Sequence, residues 1–467
     1  MSRRRSSSLF RLVLVAVAVT FAAAACGRQQ GWSRPAKHVS ALGRALPVRL
    51  PATSGRNGTF WVDGRRGSDR NRGTRARPWK TIRRALASVP LSGSVIEVLP
   101  GTYESRGTDY AIMFNRHGDI RDPVTLRAAK RGTVTIVNGD LAHQTLGAWA
   151  IRASGLRISG FRFRVLTHDR SNVAAGSVLV EDSQRIEITD CIFNEVSSTG
   201  ITVRGGVGRS SDDIWVIGNH FRPSGADPTA QATGLGFARD QYFGSKGSHW
   251  LYAGQYATNN TWEQTSGSRR LVIANNIFAG TAAGRDIELG PQARNSFVVD
   301  NTFYGNQSAA RVGADSEARF AGQAVQFFSN TSTPAFSSGF NVVANNVFVN
   351  LHGHAVAGSG PSEPGNVVTN NVAWQIAGDD AIGSRTDAFA PSFGSSVIFS
   401  GQGNLARNPL LTDVSAYDFH PRRGSPVVGR AALQFAYPYD AAGRLRPRRP
   451  AIGALEPACA GPKGRPC

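Results

Sequence analysis

Carboxylates and guanidinium groups recur at matching places in several short apolar runs of this chain. "SVLVED" (177–182), "GITVRG" (200–205), "GLGFARD" (234–240), "DIELG" (286–290), "AVQFFS" (324–329) and "HAVAG" (354–358) align as one column. If Val178, Ile201, Leu235, Ile287 and Val325 face inward, strand alternation turns Leu179, Thr202, Gly236, Glu288 and Gln326 outward. Glu181, Arg204, Ala238, Gly290 and Phe328 are the next outward residues. One sheet face then carries Glu181, Arg204 and Glu288, with Asp182, Arg239, Asp240, Arg285 and Asp286 at its edges. Two acids a few ångströms apart can divide proton donation from a nucleophile or base role. Several acids can instead hold Ca²⁺ through oxygen ligands. Asp240, Asp286 and Glu288 are therefore the acid or Ca²⁺-ligand candidates, and Arg204 and Arg239 can clamp an anionic group beside Glu181. A one-residue slip in register would turn every one of these side chains to the opposite face.

Beside this column the sequence expands. "QYFGSKGSHWLYAGQYATNNTWEQTSGS" (241–268) stands where other repeats connect in far fewer residues. Long loops in compact domains are functional or disordered as a rule, and this one is too aromatic for disorder. Lys246, in a chain with only five lysines, and His249 are the candidate bases. Tyr242, Trp250 and Tyr252 supply aromatic faces of the kind that stack on sugar rings. The bland alternatives are a solvated face bearing ion pairs and a packed loop shielding it.

Such a column needs a stack of strands to hold it, and the sequence repeats accordingly. "VIGNHF" (216–221), "VIANNIF" (272–278), "VVDNTF" (298–303), "VVANNVF" (342–348) and "VVTNNVA" (367–373) restate one pattern, with "ISGFRF" (158–163) and "ITDCIF" (188–193) as looser copies. Aligning Cys191, Asn219, Asn276, Asn301, Asn346 and Asn371 gives a period in the middle twenties with insertions, which is the mark of a stacked architecture. Asn tolerates the left-handed turn between strands, and stacked amides can bond along the axis. These asparagines read as scaffold, and Cys191 in their column reads as a packed thiol.

The body opens with an alternating strand, "TFWVD" (59–63). "RPWKTIRRALASV" follows with Ile82, Ala85, Leu86 and Val89 on one helical stripe, and "GSVIEVLPGTY" (93–103) returns as a strand. A helix at the start of a stack covers the open edge of its first turn. Together with "FWVDGRRGSDRNRGTRARPWKTIRRAL", "VIEVLPGTYES", the NN-x-F repeats, "DFHPRRGSPVVGRA" and "AIGALEP", this order resembles the secreted right-handed parallel β-helix repeat proteins of the pectate-lyase-like superfamily, over most of residues 58–456. The resemblance implies an all-β fold, a single-stranded right-handed parallel β-helix (solenoid) with an N-terminal capping helix. It implies no particular activity, because lyases, hydrolases, epimerases and non-catalytic surface proteins share that fold.

The termini read differently from the body. Arg3–Arg5, the apolar run 12–25 and "AAAC" have the layout of an export signal over residues 1–25, with Cys26 as a lipid-attachment site after cleavage; an ordinary signal cut near Ala25 is the alternative. Residues 26–57 read as a flexible tether, 58–430 as the β-helix and 431–467 as a basic tail. Of the formal +21 charge, residues 1–57 carry ten Lys/Arg and no acid, and residues 421–467 carry nine against two acids. A near-neutral body argues against nucleic acid as partner, and the basic ends point to an anionic envelope or to a general bias toward arginine, 48 Arg against 5 Lys. Cys459 and Cys467 can close a small loop, but four cysteines are no disulfide framework. The expectation is an exported, lipid-anchored protein of the bacterial envelope that handles a polysaccharide. A lyase acting on a uronate polymer is favoured, with a glycoside hydrolase and a non-catalytic glycan-binding adhesin as alternatives.

Overall fold

The computed structural model describes residues 46–105, 110–138, 147–164, 176–194, 199–205, 209–222, 249–254, 267–280, 285–290, 292–305, 323–328, 338–351, 353–359, 365–376 and 401–458. Cys26, Cys459 and Cys467 lie outside these residues.

Short Val/Ile/Phe-rich strands, interrupted by Gly, Asn and Asp, cannot bury a face within one hairpin and instead stack in parallel. Each circuit of the chain visits three sheets in turn. Sheet I runs from Thr59–Val62 through Ser154–Ser159, Gln184–Thr189 and Ser211–Ile217 to Val367–Thr369. Sheet II runs from Gly101–Ser105 to Leu405–Ala406, and sheet III from Tyr110–Phe114 to Val356–Ser359. Pairing within all three is parallel and places like on like: Ile186 opposite Ile214, Val298 opposite Val343, Phe278 opposite Phe303. The result is a parallel β-helix with one continuous apolar core.

Phenylalanine forms a column through that core. Phe163, Phe193, Phe221, Phe278, Phe303 and Phe348 stack face to face, with successive centroids 4.7–4.9 Å apart. That spacing equals the separation of neighbouring strands, so one aromatic per rung fills the coil without a gap.

The two asparagines of the repeat divide the work of the corner between sheets I and II. The first position takes the left-handed conformation: Asn275, Asp300, Asn345 and Asn370 have φ of 54–58°. The second position points inward and is fully buried. From Asn276 both the backbone N–H and Nδ2 donate to Oδ1 of Asn301, at 2.9 and 3.0 Å, and Asn301 repeats this toward Asn346. The remaining Nδ2 proton of Asn276 goes to the Val216 carbonyl of the preceding rung (2.9 Å). The ladder runs from Asn219 through Asn371 to Asn404, with Cys191 beneath it donating its N–H to Asn219. Each amide in it is satisfied in a place where an unpaired one would cost several kcal/mol.

The helix Ile82–Ser88 covers the first coil. Thr81 caps it by accepting the Arg84 N–H, and Ile82, Ala85 and Leu86 join the core beside Val62.

Both terminal segments pack on the coil. Residues 46–57, within the stretch read as a tether, lie along the outer side of sheet I. Arg49 grips Glu187 through Nε and Nη2 (3.1 and 2.9 Å), Leu50 buries against the group around Trp215, and Ser54 bonds Asp122. Residues 431–458, within the stretch read as a basic tail, also pack: Ala432, Phe435 and Tyr437 bury on sheet I, and Ile452 and Leu455 on sheet II. Sparse apolar anchors among Pro, Gly and Arg are enough, because the outer sheet faces they meet are themselves apolar.

Candidate active face

Coverage of the coil decides where a ligand can lie. Sheet I is overlaid by residues 46–57 and by Ala432, Phe435 and Tyr437. Sheet II, from Ile277 onward, is overlaid by Phe419, Val427, Ile452 and Leu455. Long connections enter sheet III, where the chain passes from Phe221 to His249 and from Tyr304 to Gln323 before rejoining it; another runs from Ile376 to Leu405 on sheet II.

Strand register on sheet III bears out most of the aligned column. Val178, Ile201, Leu251, Ile287, Val325 and Val356 form one inward row. Leu179, Thr202, Glu288, Gln326 and Ala357 form the adjacent outward row, each 7% exposed or less, and the backbone of Tyr252 takes its register place between Thr202 and Glu288. Glu181 and Arg204 are register partners two residues further along. One member of the column is corrected. The strand between Thr199–Arg204 and Arg285–Leu289 is His249–Gly254, "HWLYAG", and not "GLGFARD", whose residues lie outside those described. Part of the segment read as an aromatic loop is thus a strand of the sheet. Tyr252 takes the register place between Thr202 and Glu288, and His249 falls on the parity of the inward row.

These registers set distances. Asp286 and Glu288 share one strand and one face, so their Cα atoms are about 6.7 Å apart. Glu181 is three strands from Glu288, about 14 Å along the axis. Two carboxylates cooperate across a glycosidic bond when their carboxyl groups lie about 5–10 Å apart. Side chains two residues apart on one strand face are close enough for that, and Glu181, about 14 Å further along the axis, is not. Asp286 and Glu288 are both withdrawn from solvent, at 1% and 7% exposure.

Glu181 has a different character. Arg152 binds its Oε2 through Nε (2.7 Å) and Nη2, and Arg204 binds Oε1 through Nε (2.6 Å). Burial pushes this carboxyl upward, but the charge of Arg204 and the contacts of Arg152 outweigh it and hold it below the ordinary glutamate value. Glu181 is thus a fixed anion shared by two guanidinium groups, which leaves a net positive charge on the trio and suits the carboxylate to neither proton donation nor metal binding. Arg152 was not among the sequence candidates, although it follows "AWAI" at the outward parity and so carried the signal. The Asp212–Asp213 pair is likewise held in place, with Arg270 reaching Asp213 at 2.7 Å and Asp212 at 3.6 Å.

Lys246, Arg239, Asp240 and Tyr242 lie outside the described residues. For His249, Trp250 and Tyr252 the backbone alone is described. Asp286 and Glu288 supply carboxylate oxygens suited to Ca²⁺, but no group of three metal-ligating side chains occurs among the described residues.

Comparison with known proteins agrees with this architecture. A family described as a protein of unknown function (DUF1565) matches residues 65–238. No curated protein matches the sequence. Among solved structures, pectate lyase Pel9A superposes with a TM-score of 0.55 at 13% identity, covering 89% of this chain and 99% of that one.

The chain has the right-handed parallel β-helix fold of the pectate lyases.

An alginate lyase from Paenibacillus sp. str. FPU-7 is also similar (TM-score 0.44, 15% identity, 70% of this chain and 96% of that one). So is a GH136 lacto-N-biosidase from Eubacterium ramulus (TM-score 0.47, 12% identity, 74% and 62%).

Proposed function

We propose that this β-helix protein is an exported carbohydrate-active enzyme, anchored through Cys26, that acts on a uronate-containing or envelope polysaccharide lying across sheet III. The observation that carries this reading is the buried Asp286–Glu288 pair on the outward side of sheet III, which neither terminal segment overlays among the described residues, with Tyr252 at the register place beside Glu288. A polymer crossing stacked strands meets one side chain per rung about every 4.8 Å, close to the length of a sugar unit.

The favoured chemistry is β-elimination. A base removes the proton on the carbon next to the uronate carboxylate, and those electrons form the new C=C bond. The C–O bond to the leaving sugar breaks, and its oxygen takes a proton. Lys246 or His249 is the proposed base, Arg204 or Arg239 the cation facing the uronate, and Asp240, Asp286 and Glu288 the proposed Ca²⁺ ligands or acids. One observation favours hydrolysis as a second reading: Asp286 and Glu288 share a strand face about 6.7 Å apart at Cα, a spacing from which two carboxyl groups can reach the roughly 6.5–9.5 Å of acid–base pairs that cleave glycosidic bonds with water.

The test incubates the full chain with polygalacturonate, alginate and neutral glycans, with Ca²⁺ or with chelator. Ultraviolet absorbance from an unsaturated product, lost in Glu288→Gln and Asp286→Asn, supports the lyase reading. New reducing ends without that absorbance support hydrolysis. Neither signal, with a glycan still retained, replaces the enzyme by a binding protein.

A further inference from the structure

Five strands of sheet III before Asp286 and Glu288, the N-terminal cap carries a cavity of about 340 Å³ lined by Trp61, Asp63, Arg66, Asn71 and Arg75. Its walls come from the turn-rich stretch between the first strand and the helix, which is held rigidly. Asp69 accepts the N–H groups of Lys80 and Thr81 and the Thr81 hydroxyl. Trp79 stacks on Phe60 (centroids 5.4 Å, 12° between planes) and donates its indole N–H to the Asn71 carbonyl (2.8 Å). Gly73 lies so close to the Trp79 ring that a Cβ there would approach it to 2.7 Å. The backbone wall of the cavity is therefore preformed, and only the exposed arginine side chains at its rim are ordered when a ligand enters.

Its charge is one-sided. Nine Lys/Arg fall between Arg65 and Arg84, all exposed, against the single acid Asp69, whose carboxylate is committed to the helix start. Asp63 accepts the N–H groups of Arg65 and Arg66 and so fixes the turn. Neither Arg66 nor Arg75 pairs with a carboxylate among the described residues, and the Arg75 guanidinium lies 5.3 Å from the centre of the Trp61 ring. A partly buried indole flanked by two arginines at the rim of a small cavity offers an apolar platform, a paired anion contact and polar edges.

We propose that this cavity is a second carbohydrate site, binding an acidic saccharide unit with its carboxylate on Arg66 and Arg75 and its ring against Trp61. It is separate from sheet III and does not depend on catalysis there. The concavity favours a sugar over a flat anionic membrane, which the rim arginines alone would also attract.

The test titrates the full chain with tetragalacturonate by calorimetry and by tryptophan fluorescence, with maltotetraose, inorganic sulfate and phosphatidylglycerol vesicles as comparisons. The expected result is tetragalacturonate binding that Arg75→Ala and Arg66→Ala each weaken at least about tenfold and that maltotetraose does not reproduce. Both arginines are exposed, so these variants keep the fold, and their thermal midpoints verify it. The proposal is overturned if wild-type binding is absent, if the arginine variants bind normally, or if Glu288→Gln alone abolishes it, which would return the ligand to sheet III. It is also overturned if sulfate competes as well as the sugar, or if vesicles bind while tetragalacturonate does not.

Discussion

Asp300 accepts the backbone N–H of Tyr437 through Oδ2 at 2.6 Å, inside a fully buried joint between a corner of the coil and a segment 137 residues later in the chain. The same column of left-handed corner residues repeats the grip. Asn370 donates to the Arg430 carbonyl, Asn345 exchanges two bonds with Ala432, and Asn275 donates to the Tyr439 carbonyl. Three of these four positions are neutral amides and one is an acid, and this difference has an energetic consequence.

Burial pushes the Asp300 carboxyl up to about 7, against the opposing influence of Arg446 and the Tyr437 amide, with Glu456 adding to the rise. In the unfolded chain it titrates at its ordinary value near 3.8. Between those two pH values the folded state holds more protons, so stability declines as pH rises through the window, by up to about 1.4 kcal/mol per unit. Asp300→Asn, which restores the residue of the neighbouring rungs, is expected to remove that slope and to raise stability above pH 7. Urea midpoints measured from pH 4 to pH 8 check both effects, and parallel curves for the two proteins would refute them.

The amide ladder predicts a position-dependent cost. Asn301→Ala leaves the Asn276 N–H and side chain without their acceptor and removes the bond to the Ile273 carbonyl (2.9 Å). The expected loss is about 3 kcal/mol or more. Asn404→Ala, at the last rung of the ladder, is expected to cost less than half as much. Chemical denaturation of both variants reads the difference.

Glu181→Gln separates a structural carboxylate from a substrate contact. It removes two ion pairs while leaving Arg152 and Arg204 in place, for an expected loss of about 1–3 kcal/mol, because Arg152 keeps 44% of its side chain exposed. If sheet III is the catalytic face proposed for it, turnover per folded molecule is expected to stay within about threefold of wild type. A KM rising by tenfold or more with an unchanged thermal midpoint would instead make Glu181 a substrate ligand.

Cys191 is fully buried, and burial drives its thiol up to about 12. It is expected to resist a thiol reagent in the native protein at neutral pH and to react once in denaturant. Rapid native labelling at Cys191, mapped by mass spectrometry, would contradict the packed position.

The repeat was legible because each of its residues has one physical task that few others perform. The left-handed corner needs Asn, Asp or Gly, the ladder needs an amide, and the stack needs an aromatic. Choosing "GLGFARD" over "HWLYAG" was harder, because both alternate apolar residues in the same way. The connections between sheets II and III vary so much in length that spacing cannot decide between them. The ends of the chain misled for another reason. Leu46, Leu50, Phe435 and Tyr437 are widely spaced, and only the apolar outer rows that receive them give them meaning. In the proposed site, the facing of Glu181, Arg204 and Glu288 was readable from alternation. Their separation was not, because it depends on how many strands intervene.

The ladder and the phenylalanine column contain no information about how long the coil should be, since each rung meets only the ones before and after it. A duplicated circuit, such as the 25 residues from Asn276 to Asn301, would extend both without disturbing either. The segment from Arg430 to Tyr439 does not share that indifference. It counts rungs, touching Asn370, Asn345, Asp300 and Asn275 in sequence, and an added circuit would shift its anchors out of step. The returning segment therefore acts as a gauge on the length of the solenoid, one that rejects copies an otherwise extensible repeat would accept.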